Sequence, residues 1–332
     1  MNAPVLRALF LIQLVSMGAM EMSAPFWPLH LRQLGQLSPT ALAWASSLAY
    51  AGPMVTAMVL APFWGRWGDR IGHKPMLLRA LLALALTQVW IAYADDVMLI
   101  LAARLVQGAL AGFIAAAQAY GGALVGKAER GALIARLQMA TAVGAILGPV
   151  LGGLLYGAFD FSMLNLAAAL ICAGCALAAW LALPSLAAQP RKAPVNESPP
   201  SSPPPALLVP MLGLLLAIVL VQASKMMPQA FFGLYAEQVL RTPAWVTGLC
   251  YGATALGLCV AAPQWARRFS DREEGAVLRE VELVCWASVV VVAVQASSVN
   301  VPLFVVSRIL WGACLAALLP VLTCWRSSPK AL

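Results

Sequence analysis

Four charged side chains stand inside long apolar runs of the sequence: Glu21, Arg104, Lys225 and Arg308. A charge in such surroundings is costly unless it faces a partner, water or a functional site. A buried carboxyl group also exchanges its proton nearer to neutral pH than an exposed one does. Glu21 is therefore our candidate for a group that carries a proton.

Two interpretations of these charges stay open. Lys225 lies one position from the place that matches Glu21 in the second half of the chain, so the two could form a structural ion pair. If they do not pair, the candidate cavity holds three basic groups against one acid and favours anionic, carboxylate-bearing ligands. Nearby aromatic residues could stack on an organic ligand or anchor helix ends. They are Phe26, Trp27, Phe231, Phe232 and Tyr235.

The composition indicates which elements must position these charges. Of the 332 residues, 62% are hydrophobic and only 10% are charged, and the mean hydropathy is +0.84. Such a chain has too little polar surface to cover a water-soluble globule. Its apolar runs reach about 20 residues, the length at which a helix crosses a bilayer. We therefore predict an all-α integral membrane protein.

Ten transmembrane helices are predicted, six before and four after a Pro/Ser-rich segment. This segment, residues 185–206, lacks periodicity and is predicted to be a cytoplasmic linker. It separates an N-terminal six-helix bundle (residues 1–184) from a C-terminal four-helix bundle (residues 207–332). Pro25 and Pro28 should kink the first helix. The predicted spans are residues 5–29, 41–63, 76–94, 98–118, 132–157, 162–184, 207–235, 244–265, 277–296 and 301–322.

The net charge of +8 does not indicate a nucleic-acid partner once the basic residues are sorted by loop. With the N-terminus in the cytoplasm, the basic loop residues fall on the inner side except for Arg32 and Arg241. This distribution follows the positive-inside rule. We therefore predict a multi-pass protein of the inner (plasma) membrane with a cytoplasmic N-terminus.

The two halves of the chain repeat one another. Residues 61–64 (APFW) resemble residues 262–265 (APQW), and residues 104–108 (RLVQG) resemble residues 308–312 (RILWG). The matches follow the same order along both halves. A parallel duplication of this kind predicts two pseudo-symmetric helix bundles.

A charged, glycine-rich stretch, GRWGDRIGHKP at residues 65–75, is predicted to form a turn between the second and third helices. It resembles the loop motif of the major facilitator superfamily, whose pattern is Gly, three residues, Asp-Arg, one residue, Gly-Arg/His-Lys. The resemblance implies the major facilitator fold and a cytoplasmic latch that regulates switching. The alternative is that these charges only orient the chain. The matching residues are Gly65, Asp69, Arg70, Gly72 and Lys74.

Two further motifs resemble the same family. Arg104 and Gln107, with Gly108, resemble its fourth-helix motif, which implies a role for Arg104 in proton coupling; snorkelling to the interface is the alternative. A second pattern resembles the fifth-helix motif of the family's exporters, and its glycines, four residues apart, would let a neighbouring helix pack closely. Its residues are Gly144, Gly148, Pro149, Gly152 and Gly153.

The motifs together resemble drug/proton antiporters. We expect a proton-coupled transporter that exports a small organic solute by alternating access, such as a carboxylate siderophore or a drug. Its partners would be the solute, protons and lipid, with no nucleic acid. No phosphate-binding loop or catalytic triad is present, so we expect neither enzyme activity nor a cofactor or metal.

Two alternatives to this function follow from the same resemblance. Family members usually carry twelve helices and only ten are predicted here, so a truncated, transport-inactive chain is one alternative. Import by proton symport is the other, although the fifth-helix motif favours export.

Overall fold

The computed structural model describes residues 3–35, 37–186, 226–270 and 274–324, together with residues 216, 219, 220, 223 and 224. Every regular element in these ranges is helical. The α-helices are α1 (Ala3–Glu21), α2 (Trp27–Leu34), α3 (Pro39–Ile71), α4 (His73–Ala92), α5 (Val97–Leu110), α6 (Phe113–Leu124), α7 (Arg130–Ala158), α8 (Phe161–Ala182), α9 (Phe232–Gln238), α10 (Ala244–Ser270), α11 (Glu274–Ser297) and α12 (Val301–Cys324).

Three helices begin at a side chain that caps their first turn. The Ser38 hydroxyl accepts a hydrogen bond from the Ala41 amide (3.2 Å) ahead of α3. The Asp96 carboxylate accepts one from Met98 (2.6 Å) ahead of α5, and Asp160 does so from Met163 (2.8 Å) ahead of α8. These caps satisfy amide groups that have no partner inside the helix, so each start position is set by local sequence.

Eight helical stretches of the described chain are long and apolar enough to cross a membrane, and a shorter apolar stretch follows at Val301–Ala317. They correspond to nine of the ten predicted spans. The tenth, residues 207–235, lies largely outside the described residues, as does most of the predicted linker at 185–206. The all-α membrane class is confirmed, while the boundary between the two bundles stays a prediction.

Two predicted spans are interrupted. The first is broken between α1 and α2 by a 3-10 turn at Ala24–Phe26, as expected from its prolines. The fourth, predicted over residues 98–118, is found as the single stretch Val97–Leu124, but it is interrupted, because α5 and α6 are separate helices. Gly112 joins them with a φ of +94°, a conformation that costs a glycine little and other residues more.

The chain divides into two compact units. The first holds α1 to α9 and the start of α10 as far as Ala255; the second holds the remainder of α10 with α11 and α12. In the first unit α1 packs on α7 and α8, while α4 packs on α8 and α5. Its core contains the fully buried rings of Phe26, Trp27 and Tyr120. In the second unit α11 packs on α12.

The predicted internal repeat is visible in the contacts that each unit makes. In the first unit the Trp64 indole donates a hydrogen bond to the Ala109 carbonyl (2.7 Å), joining α3 to α5. In the second unit the Trp265 indole donates to the Ala313 carbonyl (3.0 Å), joining α10 to α12. The two tryptophans are the last residues of the matched motifs APFW and APQW. Each half therefore joins its second and fourth spans by the same bond.

Replacing either tryptophan by phenylalanine removes this bond and keeps an aromatic ring. We expect Trp64→Phe and Trp265→Phe each to lower stability by about 1 kcal/mol, the usual net contribution of one hydrogen bond. The midpoint of thermal denaturation of the purified protein measures the loss. Trp67→Phe is the matched control, since this ring is 45% exposed. If both variants have the same denaturation midpoint as the control, the two hydrogen bonds contribute nothing to stability.

Candidate functional site

The Arg104 side chain is held from three helices. Its Nε donates a hydrogen bond to the Ala49 carbonyl of α3 (2.8 Å), and an NH group donates to the Gln107 amide oxygen one turn along α5 (2.5 Å). Its guanidinium carbon lies 4.8 Å from the ring centre of Trp27 in α2. A guanidinium held by two acceptors and an aromatic face has a fixed direction. The predicted Arg104 and Gln107 motif thus forms one hydrogen-bonded unit.

Glu21, the predicted proton carrier, ends α1 close to this guanidinium, and the two charges interact electrostatically. The Glu21 side chain is partly buried. The structure therefore brings together two residues that the sequence singled out separately, 83 positions apart. A carboxyl group and a fixed arginine in a membrane interior can pass between a neutral, protonated state and an ion-paired state.

Two tyrosines near Arg104 were not predicted. Tyr50 of α3 and Tyr251 of α10 both lie near its guanidinium, and both rings are nearly buried. The Tyr50 hydroxyl donates a hydrogen bond to the Ala24 carbonyl. The internal repeat could have identified them as a matched pair, because Tyr251 follows Tyr50 by 201 positions, the same offset that separates Trp265 from Trp64. The two tyrosines are thus repeat-related residues that meet at one arginine.

The glycines of the fifth-helix motif lie against the helix that carries Glu21. Gly144 and Gly148 of α7 lie against the Leu14 and Gly18 carbonyl groups of α1, and Gly152 lies against the carbonyl of Met22, just after α1. A Cβ at Gly148 would also lie 3.1 Å from the Cβ of Glu21. The motif therefore sets the distance between α7 and the helix that carries the candidate proton site.

A second glycine face joins α7 to α10. Gly153 lies against the Ala244 backbone, and Gly248 of α10 lies against the Pro149 carbonyl. Gly252 continues the contact one turn later at Ile146. Small residues four apart on both partners allow this close backbone approach. α7 is thus packed on two sides, by α1 and by α10.

The loop motif differs from its predicted form. Residues 65–71 are not a turn but the last two turns of α3, and Gly72, at φ +94°, is the junction to α4. The Gly72 amide still bonds to the Gly68 carbonyl (3.0 Å), so the backbone hydrogen bonds of α3 continue to this point. The predicted turn is therefore wrong in extent, because charged residues at a membrane surface can extend a helix as well as end it.

The charged residues of the motif have different surroundings. Lys74 donates a hydrogen bond to the Trp180 carbonyl (2.8 Å) in the last turn of α8, where a cation is favoured. Asp69 and Arg70 are exposed, and the position of Gly65 is open, with no neighbour within 4 Å of an added Cβ. Within the first unit only Lys74 of these residues is tied to another helix, so a latch function of Asp69 stays a prediction.

Arg308, Lys225 and two of the predicted aromatic residues have different surroundings. Arg308 is fully buried in the second unit, with its guanidinium carbon 5.7 Å from the Trp311 ring centre. Lys225 lies outside the described residues, so its pairing with Glu21 stays a prediction. Phe26 and Trp27 are buried, and Phe26 stacks on Tyr156 at 4.6 Å while Trp27 faces Arg104, so a ligand-stacking role of these rings stays a prediction.

Residues 9–279 match the family model described as Major Facilitator Superfamily. Among curated relatives, the Staphyloferrin B transporter of Staphylococcus aureus (strain NCTC 8325 / PS 47) is 33% identical over 165 residues, 50% of this chain and 40% of the relative. Multidrug resistance protein MdtG of Salmonella paratyphi C (strain RKS4594) is 35% identical over 140 residues, 42% of this chain and 35% of the relative. The aligned stretches thus span less than half of these relatives.

Solved structures show the same fold. A bacterial homologue of the human lysosomal transporter Spinster, inward-facing and occupied, superposes with a TM-score of 0.76 at 13% identity, over 98% of this chain and 75% of that one. The human organic anion transporter MFSD10 (TETRAN) gives a TM-score of 0.68 at 18% identity, over 97% and 85%.

The close packing of α7 on α1 predicts opposite effects of the same substitution at two glycines. Gly152→Ala should destabilise the protein by about 1–3 kcal/mol, because the new Cβ would lie 2.7 Å from the Met22 carbonyl carbon. Gly174→Ala in α8 has open space around it and should stabilise by about 0.5–1 kcal/mol. Thermal denaturation measures both. Equal midpoints for the two variants would contradict the close contact.

Proposed function

Since this chain belongs to the Major Facilitator Superfamily, a family of membrane transporters for small molecules rather than of enzymes, we propose that it exports a small organic solute in exchange for protons. The observation that carries this proposal is the meeting of three predicted elements at one place. Gly148 of the exporter-type motif packs against Glu21, and the charge of Glu21 interacts with Arg104.

Exchange requires that the proton and the solute exclude each other at Glu21. A solute with an amine or another donor can pair with the deprotonated carboxylate, and a proton arriving there displaces it. A carboxylate on the same solute would bind Arg104, with the Tyr50 and Tyr251 hydroxyl groups close by. A carboxylate siderophore with amine groups, or a drug with the same groups, meets both conditions. The relatives' names, a staphyloferrin B transporter and a multidrug resistance protein, are consistent with either.

A purely anionic solute would reverse the direction of coupling. Protonation of Glu21 would release Arg104 from its ion pair and so favour binding of the anion together with the proton. Such cooperative binding gives symport and import, which is the alternative function. The chemistry of the solute and the direction of transport are therefore linked through the same two side chains.

An ion pair supports the alternating-access part of the proposal. The Arg32 guanidinium of α2 donates to the Glu237 carboxylate of α9 at 2.5 Å. These two residues occupy equivalent places in the two repeats, each six positions after the matched Phe26 and Phe231. The two side chains are 36% and 46% exposed, so breaking the pair in water costs little free energy. We assign it to the outer side, where it would close the path when the inner side is open.

Glu21→Gln removes the exchangeable proton and so tests proton coupling. In proteoliposomes, the variant should lose proton-driven export of a labelled carboxylate siderophore by at least about ten-fold, because an amide carries no proton. Solute-for-solute exchange without a proton gradient should remain but with a higher KM for the solute, because the amide cannot pair with the solute's amine as the carboxylate does. Asp95→Asn, a matched acid-to-amide change at an exposed position, is the control.

Three results of this experiment would count against the proposal. Proton-driven export by Glu21→Gln at the wild-type rate would remove Glu21 from the mechanism. Uptake driven by an inward proton gradient would establish import instead. Wild-type protein that moves neither the siderophore nor a cationic dye would favour a transport-inactive chain.

A cross-link between α2 and α9 at the positions of this ion pair tests whether the two helices must separate on the outer side during transport. In a variant without the seven native cysteines, Arg32→Cys together with Glu237→Cys should lose solute exchange when a short cleavable reagent cross-links the two thiols. Exchange should return when the reagent is cleaved. Each single cysteine variant treated in the same way is the control. Exchange that continues with the cross-link in place would show that these helices do not separate.

A further inference from the structure

A groove of about 620 Å³ lies between the first turns of α1 and α7, away from Glu21 and Arg104. Its volume falls in the range of about 300–1,000 Å³ that is usual for small-molecule sites. Three of its eleven lining residues are charged, and the other eight are apolar. The lining residues are Ala3, Leu6, Arg7, Phe10, Leu11, Val125, Glu129, Ala132, Leu133, Arg136 and Leu137.

Charged and apolar side chains of the groove share the first turns of the two helices. Arg7 lies four residues into α1 and Arg136 six residues into α7, which places them about 6 and 9 Å from the helix starts at 1.5 Å per residue. Both are exposed, and Glu129 lies beside the start of α7. Phe10, Leu11 and Leu137 lie deeper along the same helices. The groove is therefore amphiphilic, with a net charge of +1 among its lining residues.

We propose that this groove binds an anionic phospholipid, with the phosphate on Arg7 and Arg136 and an acyl chain along the apolar floor. Basic sites between transmembrane helices at the cytoplasmic face are suited to anionic head groups. The positive-inside distribution puts the starts of α1 and α7 at that face.

The exposure of Leu11 explains why the bound molecule needs an acyl chain as well as a phosphate group. Its side chain is 57% exposed, whereas Leu133 and Leu137 on the facing helix are almost fully buried. An acyl chain would cover Leu11 and complete the contact between α1 and α7 at this end. The same two helices carry Glu21 and Gly148, so the bound lipid would stabilise the packing of the two helices that form the candidate proton site.

The test uses the purified full chain and counts lipid molecules that remain bound in native mass spectrometry. We expect phosphatidylglycerol to be retained over phosphatidylcholine, and Arg7→Gln/Arg136→Gln to weaken phosphatidylglycerol retention about five-fold for each arginine removed. Arg66→Gln/Arg70→Gln removes two exposed arginines outside the groove and is the matched control, expected to retain the lipid. Neither variant changes a buried residue, so both should fold.

A second pair of variants tests the apolar part. Leu11→Trp fills the groove and keeps both arginines, so it should also reduce phosphatidylglycerol retention. Leu170→Trp, at a 75% exposed position of α8, should not. Equal retention of the two lipids, or equal loss in the groove and control arginine variants, would overturn the proposal. Displacement of phosphatidylglycerol by a carboxylate siderophore would assign the groove to the solute instead. None of these measurements depends on transport, so they stand apart from the proposed function.

Discussion

The close approach of α7 to α1 is the contact on which the candidate site depends. Between helices in a membrane there is no hydrophobic driving force, so their association relies on van der Waals contact and on small residues that let backbones meet. Gly144, Gly148 and Gly152 provide such a surface over three successive turns. The Cβ of Glu21 lies at this contact, so the position of Glu21 relative to Arg104 depends on the absence of side chains on this face of α7.

Arg104 shows how the fold accommodates a charge in an apolar setting. Hydrogen bonds to a backbone carbonyl and to Gln107, with the Trp27 face nearby, replace part of the hydration that the guanidinium loses. These contacts leave the arginine in one orientation, towards Glu21 and the two tyrosines. A fixed positive charge next to a titratable carboxyl group is sufficient to link protonation to ligand charge. The sign of that link depends on whether the ligand pairs with the acid or with the arginine.

The repeat explains how several of these contacts arose in pairs. The indole-to-carbonyl bonds of Trp64 and Trp265 are the same interaction in the two units. Where the repeats differ, the difference is local: Thr56 bonds to the Leu105 carbonyl (3.0 Å), whereas the matching Gly257 packs directly on the Ile309 carbonyl. Tyr50 and Tyr251 are a pair of another kind, since both side chains meet at the single arginine of the first repeat. Duplicated sequence thus produced both equivalent contacts and a shared one.

Local patterns in the chain were enough to predict the membrane class, the position of most spans, the family and the break at Pro25. Each of these depends on hydropathy, caps or motifs within about 30 residues. The helical extent of residues 65–71, the separation of α5 from α6, the tyrosines beside Arg104 and the pairing of Arg32 with Glu237 were not predicted. The last two join residues that lie far apart in sequence, and which side chains meet over such a separation is set by how the helices pack. Periodicity can show that a residue faces a neighbour, but only the packed helices identify that neighbour.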